Sequence, residues 1–284
     1  MIYLTTRQRL LIWIISIIVA IMVLALPVAT HIYSPKLEFM IPVDPITNFL
    51  LSTAIVIALL SPSIAEYLNL KYTKRVSRDI TVFLRHVTSG VSSGLTLTKA
   101  IEESSKTVKG PVGEKFREAL TKFALGEDFD KAILDAGCKL RTPEAKQISQ
   151  IIVSSYASGA RMPEILSAAE TFYRMITSYK EERTSKIKPY LFVYYLSIAI
   201  FLMVSYFTLN NFIVPISKQS TWSIVQFPMS TEYFKAIFFQ LAIIECVVAG
   251  LMGGKVSEGK LSAGLIHAVI LLVITILFYF FLIF

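Results

Sequence analysis

The chain has 284 residues, of which 54% are hydrophobic and only 17% charged, with a mean hydropathy of +0.61. A water-soluble globule of this length needs a more charged surface, so composition excludes one. The net charge of +8 is concentrated: residues 67–188 hold 21 of the 28 Lys and Arg and 14 of the 20 Asp and Glu, and the remainder is nearly neutral.

Five apolar runs are long enough for the ~20 helical residues that cross a hydrocarbon core. They are Leu10–Thr30, Ile46–Ala65, Tyr190–Asn210, Phe234–Gly253 and Leu261–Phe284. The first follows Arg7 and Arg9. It is longer than a signal-peptide core, and Pro27 spoils a cleavage site, so it reads as an uncleaved anchor. The second is the most polar, with Asn48, Ser52, Thr53, Ser61 and Pro62, groups that neighbouring helices must satisfy. Lys and Arg bias sets orientation. Arg7, Arg9, the 67–188 segment, Lys255 and Lys260 fall on one side. The loops 31–45 and 211–233 carry only Lys36 and Lys218, with Trp222, Tyr233 and Phe234 near an interface. The expectation is N-in, C-out, with nothing folded beyond the last span on the outside.

Within 67–188 no stretch alternates with strand period. Apolar residues recur at three and four, as in Ile80, Phe83, Leu84, Val87 and Val91, then Phe116, Leu120 and Phe123, then Ile148, Ile151 and Ile152. Thr142-Pro143-Glu144 reads as a helix start. A helix from about Pro163 is expected to run toward the third span near Pro189. The predicted fold is an all-α membrane protein: two N-terminal spans (1–66), a cytoplasmic bundle of about six helices (67–188), and three C-terminal spans (189–284).

One pattern occurs three times in the bundle. It reads Gly94-Leu-Thr-Leu97-Thr-Lys-Ala100-Ile101, then Gly126-Glu-Asp-Phe129-Asp-Lys-Ala132-Ile133, then Gly159-Ala-Arg-Met162-Pro-Glu-Ile165-Leu166. Gly94, Gly126 and Gly159 are expected to end one helix in the left-handed conformation. A Thr, Asp or Pro then starts the next helix, with the residues at +3, +6 and +7 on one buried face.

These residues resemble the type II secretion F-domain family of inner-membrane platform proteins, which serve type II secretion, type IV and Flp pili and the archaellum. The run Phe83 to Ile101, Gly110-Pro-Val-Gly113, Ser158 to Leu166 and Gly250 to Lys260 carry the likeness, together with the order of two spans, helices, then three spans. The likeness is nearest to the TadC-like, archaeal-type branch. Many members hold two copies of the helical domain and this chain has one, which leaves open pairing with itself or with a related paralogue. The resemblance implies a cytoplasmic-membrane platform that couples a hexameric secretion ATPase to the insertion of pilin-like filament subunits, with no catalysis and no cofactor. A basic domain suits an acidic partner or anionic lipid, although +7 also satisfies topology alone. Arg75, Arg78, Arg85, Lys99, Lys106 and Lys109 are the candidate ATPase contacts.

Glu245 lies in the middle of the fourth span and His267 in the fifth. An intramembrane carboxylate is costly and faces protein or protonates. Counted from Gly254 and Lys260, their depths differ by about 3 Å at ~1.5 Å per residue, so the two are expected to pair or else to be capped separately. No phosphate-binding loop, His-Glu-x-x-His or nucleophile elbow occurs. His31, His86 and His267 fall in separate regions, which argues against a His-based metal centre. A small transporter or channel using Glu245 and His267 remains an alternative, though no inverted repeat or interrupted helix supports it. Nucleic-acid binding is disfavoured, because the cations are scattered among acids without a stacking motif.

Overall fold

The computed structural model describes residues 4–29, 42–219 and 230–283. His31, Lys36 and Trp222 lie outside them. Among the described residues ten α-helices follow in order: α1 Thr6–Ala29, α2 Pro45–Ser92, α3 Leu97–Thr107, α4 Pro111–Ala124, α5 Phe129–Lys139, α6 Pro143–Ala157, α7 Met162–Thr208, α8 Val214–Gln219, α9 Thr231–Glu258 and α10 Leu265–Leu282. Among the described residues there is no strand. Five helices, α1, α2, α7, α9 and α10, are long and apolar enough to cross a membrane. The chain is an all-helical, multi-pass membrane protein.

Two of these helices exceed the spans expected of them. α2 has 48 residues and α7 has 47, and Pro62 and Pro189 lie inside them. Proline removes one intrahelical hydrogen bond, and a second helix can supply the missing donor inside a membrane. At Pro62 this replacement is visible. The carbonyl of Ala58, four residues earlier, accepts a hydrogen bond from the Ser16 hydroxyl of α1 at 3.0 Å, and Ser16 also reaches the Ile57 carbonyl at 2.9 Å.

The chain divides into two compact units. One comprises Leu68–Arg183, built from the C-terminal part of α2, all of α3 to α6 and the N-terminal part of α7. Its core is the face the periodicity marked: Ile80, Phe83, Leu84 and Val87 of α2 are fully buried, against Ile101, Phe116, Ile133, Ile148 and Ile152. Phe83 and Phe116 stack with ring centroids 4.3 Å apart. Each such side chain contributes about 1.5–3 kcal/mol by leaving water, which holds together helices only 11 to 15 residues long that are marginal in isolation.

The other unit comprises Leu4–Tyr67 and 184–284. α2 is capped by Asp44, whose carboxylate accepts from the Thr47 amide at 3.0 Å. Within the unit, α1 meets α2 through Ser16 and through an ion pair between Arg9 and Glu66, the latter almost wholly buried. Asn48 of α2 accepts from the Gln240 amide of α9 at 2.6 Å. α9 and α10 form a close hairpin, because Gly250 lies against the backbone of Ala268 and Gly254 against Gly264, leaving no room for a Cβ at either glycine.

Candidate functional site: helical corners, charged faces and intramembrane polar groups

The three corner glycines all have positive φ: +90° at Gly94, +98° at Gly126 and +54° at Gly159. The first two corners share one hydrogen-bond pattern. Leu95 N–H donates to Gly90 O at 3.1 Å and Gly94 N–H to Val91 O at 3.0 Å; Glu127 N–H donates to Lys122 O at 3.1 Å and Gly126 N–H to Phe123 O at 3.0 Å. The residues after them, Leu97, Ala100 and Ile101 and then Phe129, Ala132 and Ile133, are buried together. The third corner differs. It closes through a short 3-10 turn, Gly159–Arg161, and of its three positions only Leu166 is fully buried. Asp128 and Thr142 cap α5 and α6 by accepting from the amides of Lys131 and Ala145.

The six candidate contact cations occupy different settings. Arg75 pairs with Asp79 at 3.4 Å and lies against Gly110 at the start of α4. Arg78 approaches Asp79 at 3.6 Å. Lys99 and Lys106 share Glu102 and Glu103 in a lattice of four contacts at 2.6–3.4 Å on α3. The hydrogen bonds of Lys106 and then Lys99 hold the Glu102 carboxyl at about 2, well below its ordinary value of 4.5, and Glu103 is lowered chiefly by Lys106. Arg85 and Lys109 are exposed and form no ion pair among the described residues. A face of this mixed sign is less positive than the net charge implies.

A second lattice joins α4 to α5, on residues the spacing did not single out. Lys115 and Lys139 both reach Glu118 at 2.8 Å, and Asp135 receives Lys122 at 2.8 Å and Lys139 at 3.0 Å. Hydrogen bonds from Lys115 and then Lys139 bring Glu118 to about 2, and Lys139 is raised in return, first by Glu118 and then by Asp135. On α6, Glu144 receives Lys180 of α7 at 2.9 Å, while Tyr173 donates to Gln147 at 2.9 Å.

The proposed pairing of Glu245 with His267 is corrected by the hairpin register. Gly254 faces Gly264 rather than Lys260. His267 is therefore three residues from the level at which the helices meet and Glu245 nine, a difference in depth of about 9 Å. Cys246, next to Glu245, contacts Thr275 at 3.0 Å instead. Both polar groups are served by α7: the Tyr195 hydroxyl and His267 Nδ1 are 2.8 Å apart, and the Ser197 side chain approaches Glu245. A third polar contact, Ser205 with Tyr279 at 2.6 Å, is buried. α7 is thus the polar partner of the α9–α10 hairpin.

Sequence reasoning missed Glu66 and Ser16. Glu66 is an acid at the end of an apolar run whose partner, Arg9, is 57 residues away. Ser16 is a lone hydroxyl in an apolar run, and its partner is a carbonyl set free by a proline on another helix.

Among known proteins, residues 83–209 match the family described as "Type II secretion system (T2SS), protein F". An uncharacterized protein of Methanocaldococcus jannaschii is 22% identical over 228 residues, which covers 80% of this chain and 37% of that protein. The chain therefore spans little more than a third of this curated relative's length. No solved structure matches. The matched stretch runs from the buried Phe83 of α2, through all three glycine corners, to the end of α7, so it is this part of the chain that is similar to the type II secretion system protein F family.

Proposed function

We propose that the chain is the core platform of a type IV pilus-like filament assembly machine in the cytoplasmic membrane. In this reading the unit Leu68–Arg183 lies in the cytoplasm and docks a hexameric secretion ATPase, and the five spans meet pilin-like subunits leaving the bilayer. The chain is then N-in, C-out and works mechanically rather than as an enzyme. The observation that carries the reading is the family match over 83–209, set on two helices, α2 and α7, each of which holds both a candidate span and core residues of the helical unit.

Of the six candidate cations, Arg85 and Lys109 form no ion pair among the described residues and are the first contacts to test. Arg85→Glu with Lys109→Glu should weaken co-purification of the full-length chain with a secretion ATPase of the same cell by at least tenfold and abolish filaments, with the chain still inserted. Undiminished capture of the ATPase by the double variant would remove these residues from the interface. Loss of the chain without effect on any surface filament or secreted protein would overturn the platform reading.

A further inference from the structure

The N-terminal part of α7 is a helix in the charged, helical unit, yet it leaves a row of large apolar side chains uncovered. Phe172, Met175 and Tyr179 are 58, 66 and 68% exposed. Their opposite neighbours, Tyr173 and Leu166, are buried in the core of the unit. The uncovered residues follow a three-four spacing, which is the a and d seam of a heptad. The positions that flank such a seam, Ala169, Thr171, Ile176 and Ser178, carry no charge, in a segment otherwise dense with Lys, Arg, Asp and Glu. Aromatic residues and Met are the side chains that interface cores collect, and charge is what they lack. The same frame continues along the sequence: 21 residues on, Val193, Leu196 and Ile200 are exposed in the candidate span of the same helix.

We propose that this seam pairs α7 with α7 of a second copy of the chain, in parallel and in register, so that Phe172, Met175 and Tyr179 each meet their own counterpart. Two features favour a second copy over a soluble partner. An aromatic side chain buries about 150–250 Å² in full, and these are about two-thirds exposed, so three from each side have roughly 600–950 Å² left to bury, less than the ~1,200 Å² of a stable interface between free proteins. Copies in one bilayer begin at high effective concentration, so a small interface suffices. Two copies inserted with the same sense also present α7 in parallel, and parallel two-stranded packing places like positions of a heptad opposite each other. Beyond Tyr179 the next seam positions are Glu182 and Lys186, which ends the contact of the helical unit after two turns of the seam.

The test is disulfide cross-linking of the full-length chain in liposomes. Cys138 is exposed and is replaced by Ser; Cys246 is buried and is left. Single Cys variants at Phe172, Met175 and Tyr179 are compared with variants at Ser167, Arg174 and Glu181, exposed residues on a different face of α7. Seam variants should give at least tenfold more dimer than the others, and Met175→Glu added to the Phe172→Cys variant should abolish it. Equal yields on both faces would mean random collision, and no dimer from any correctly inserted variant would refute the pairing. An adduct with another polypeptide in native membranes, without the homodimer in liposomes, would assign the seam to that polypeptide and equally overturn the proposal. The assay needs no filament, so its outcome is independent of the platform reading.

Discussion

Replacing Ser16 by Ala tests whether the α1 hydroxyl compensates for Pro62. The substitution removes the donor to the Ala58 and Ile57 carbonyls at 3.0 and 2.9 Å, and Pro62 leaves Ala58 without its own intrahelical partner. Hydrogen bonds between membrane helices average about 0.6 kcal/mol and reach about 1.7, while an unpaired buried carbonyl costs about 1–3. The expected loss is therefore about 1–2 kcal/mol. Pro62→Ala restores an amide to the Ala58 carbonyl, so in its presence Ser16→Ala should cost little. The two substitutions should couple by about 1 kcal/mol, read as a double-mutant cycle. The assay is reversible SDS unfolding of the full chain in bicelles, followed by a fluorophore pair on α1 and α2. Additive effects within about 0.3 kcal/mol, or a Ser16→Ala variant as stable as the parent, would refute the compensation.

Four further outcomes are expected. Phe83→Ala empties one side of the Phe116 stack and should destabilise the helical unit by about 3–5 kcal/mol, seen in urea unfolding followed by helical circular dichroism; a change under 1 kcal/mol would contradict the packing. Gly126→Ala places a Cβ at a φ of +98° and should cost about 1–2 kcal/mol, whereas Leu125→Ala, at an exposed position, should be silent; equal effects would deny the corner its role. Glu102 and Glu118 titrate near 2 in the fold against an ordinary 4.5, so their stabilisation is complete above about pH 4.5 and is lost as pH falls through about 2. Both are partly exposed, so 0.5 M salt should flatten this acid limb of the unfolding profile, and a limb unchanged by salt would point to other carboxyls. In the membrane unit, Tyr195→Phe and His267→Ala should be strongly non-additive in stability, with Glu245→Gln additive to both; coupling of Glu245 to His267 would restore the pairing that the register rejects.

The helical unit was largely legible because its signals are local. Ile80 to Val91 keep one face at helical spacing, Thr142-Pro143 starts α6, and the glycines of the repeated pattern fall where the backbone turns left-handed. Spans declared themselves by composition, but their ends did not. No Gly or Pro occurs between Ala65 and Gly90, and α7 continues through Pro189 just before Tyr190, so α2 and α7 run through both boundaries. The intramembrane contacts were illegible for a different reason. The partner of Glu245 depends on where two helices touch, and a shift of the hairpin turn from Lys260 to Gly264 moves His267 by a full turn. Net charge also misled, since Lys99, Lys106, Lys115, Lys122 and Lys139 are held in carboxylate lattices that a count of signs cannot see.

The Arg9–Glu66 pair has a consequence for the making of the protein. Before α2 has emerged from the ribosome, Arg9 is an unneutralised cation and contributes its full weight to the sense in which α1 enters the bilayer. Once Glu66 reaches it, that charge is masked and the two helices are fastened at one end. Arg9 thus acts as a free charge while orientation is being decided, and its later pairing makes the first hairpin costly to invert.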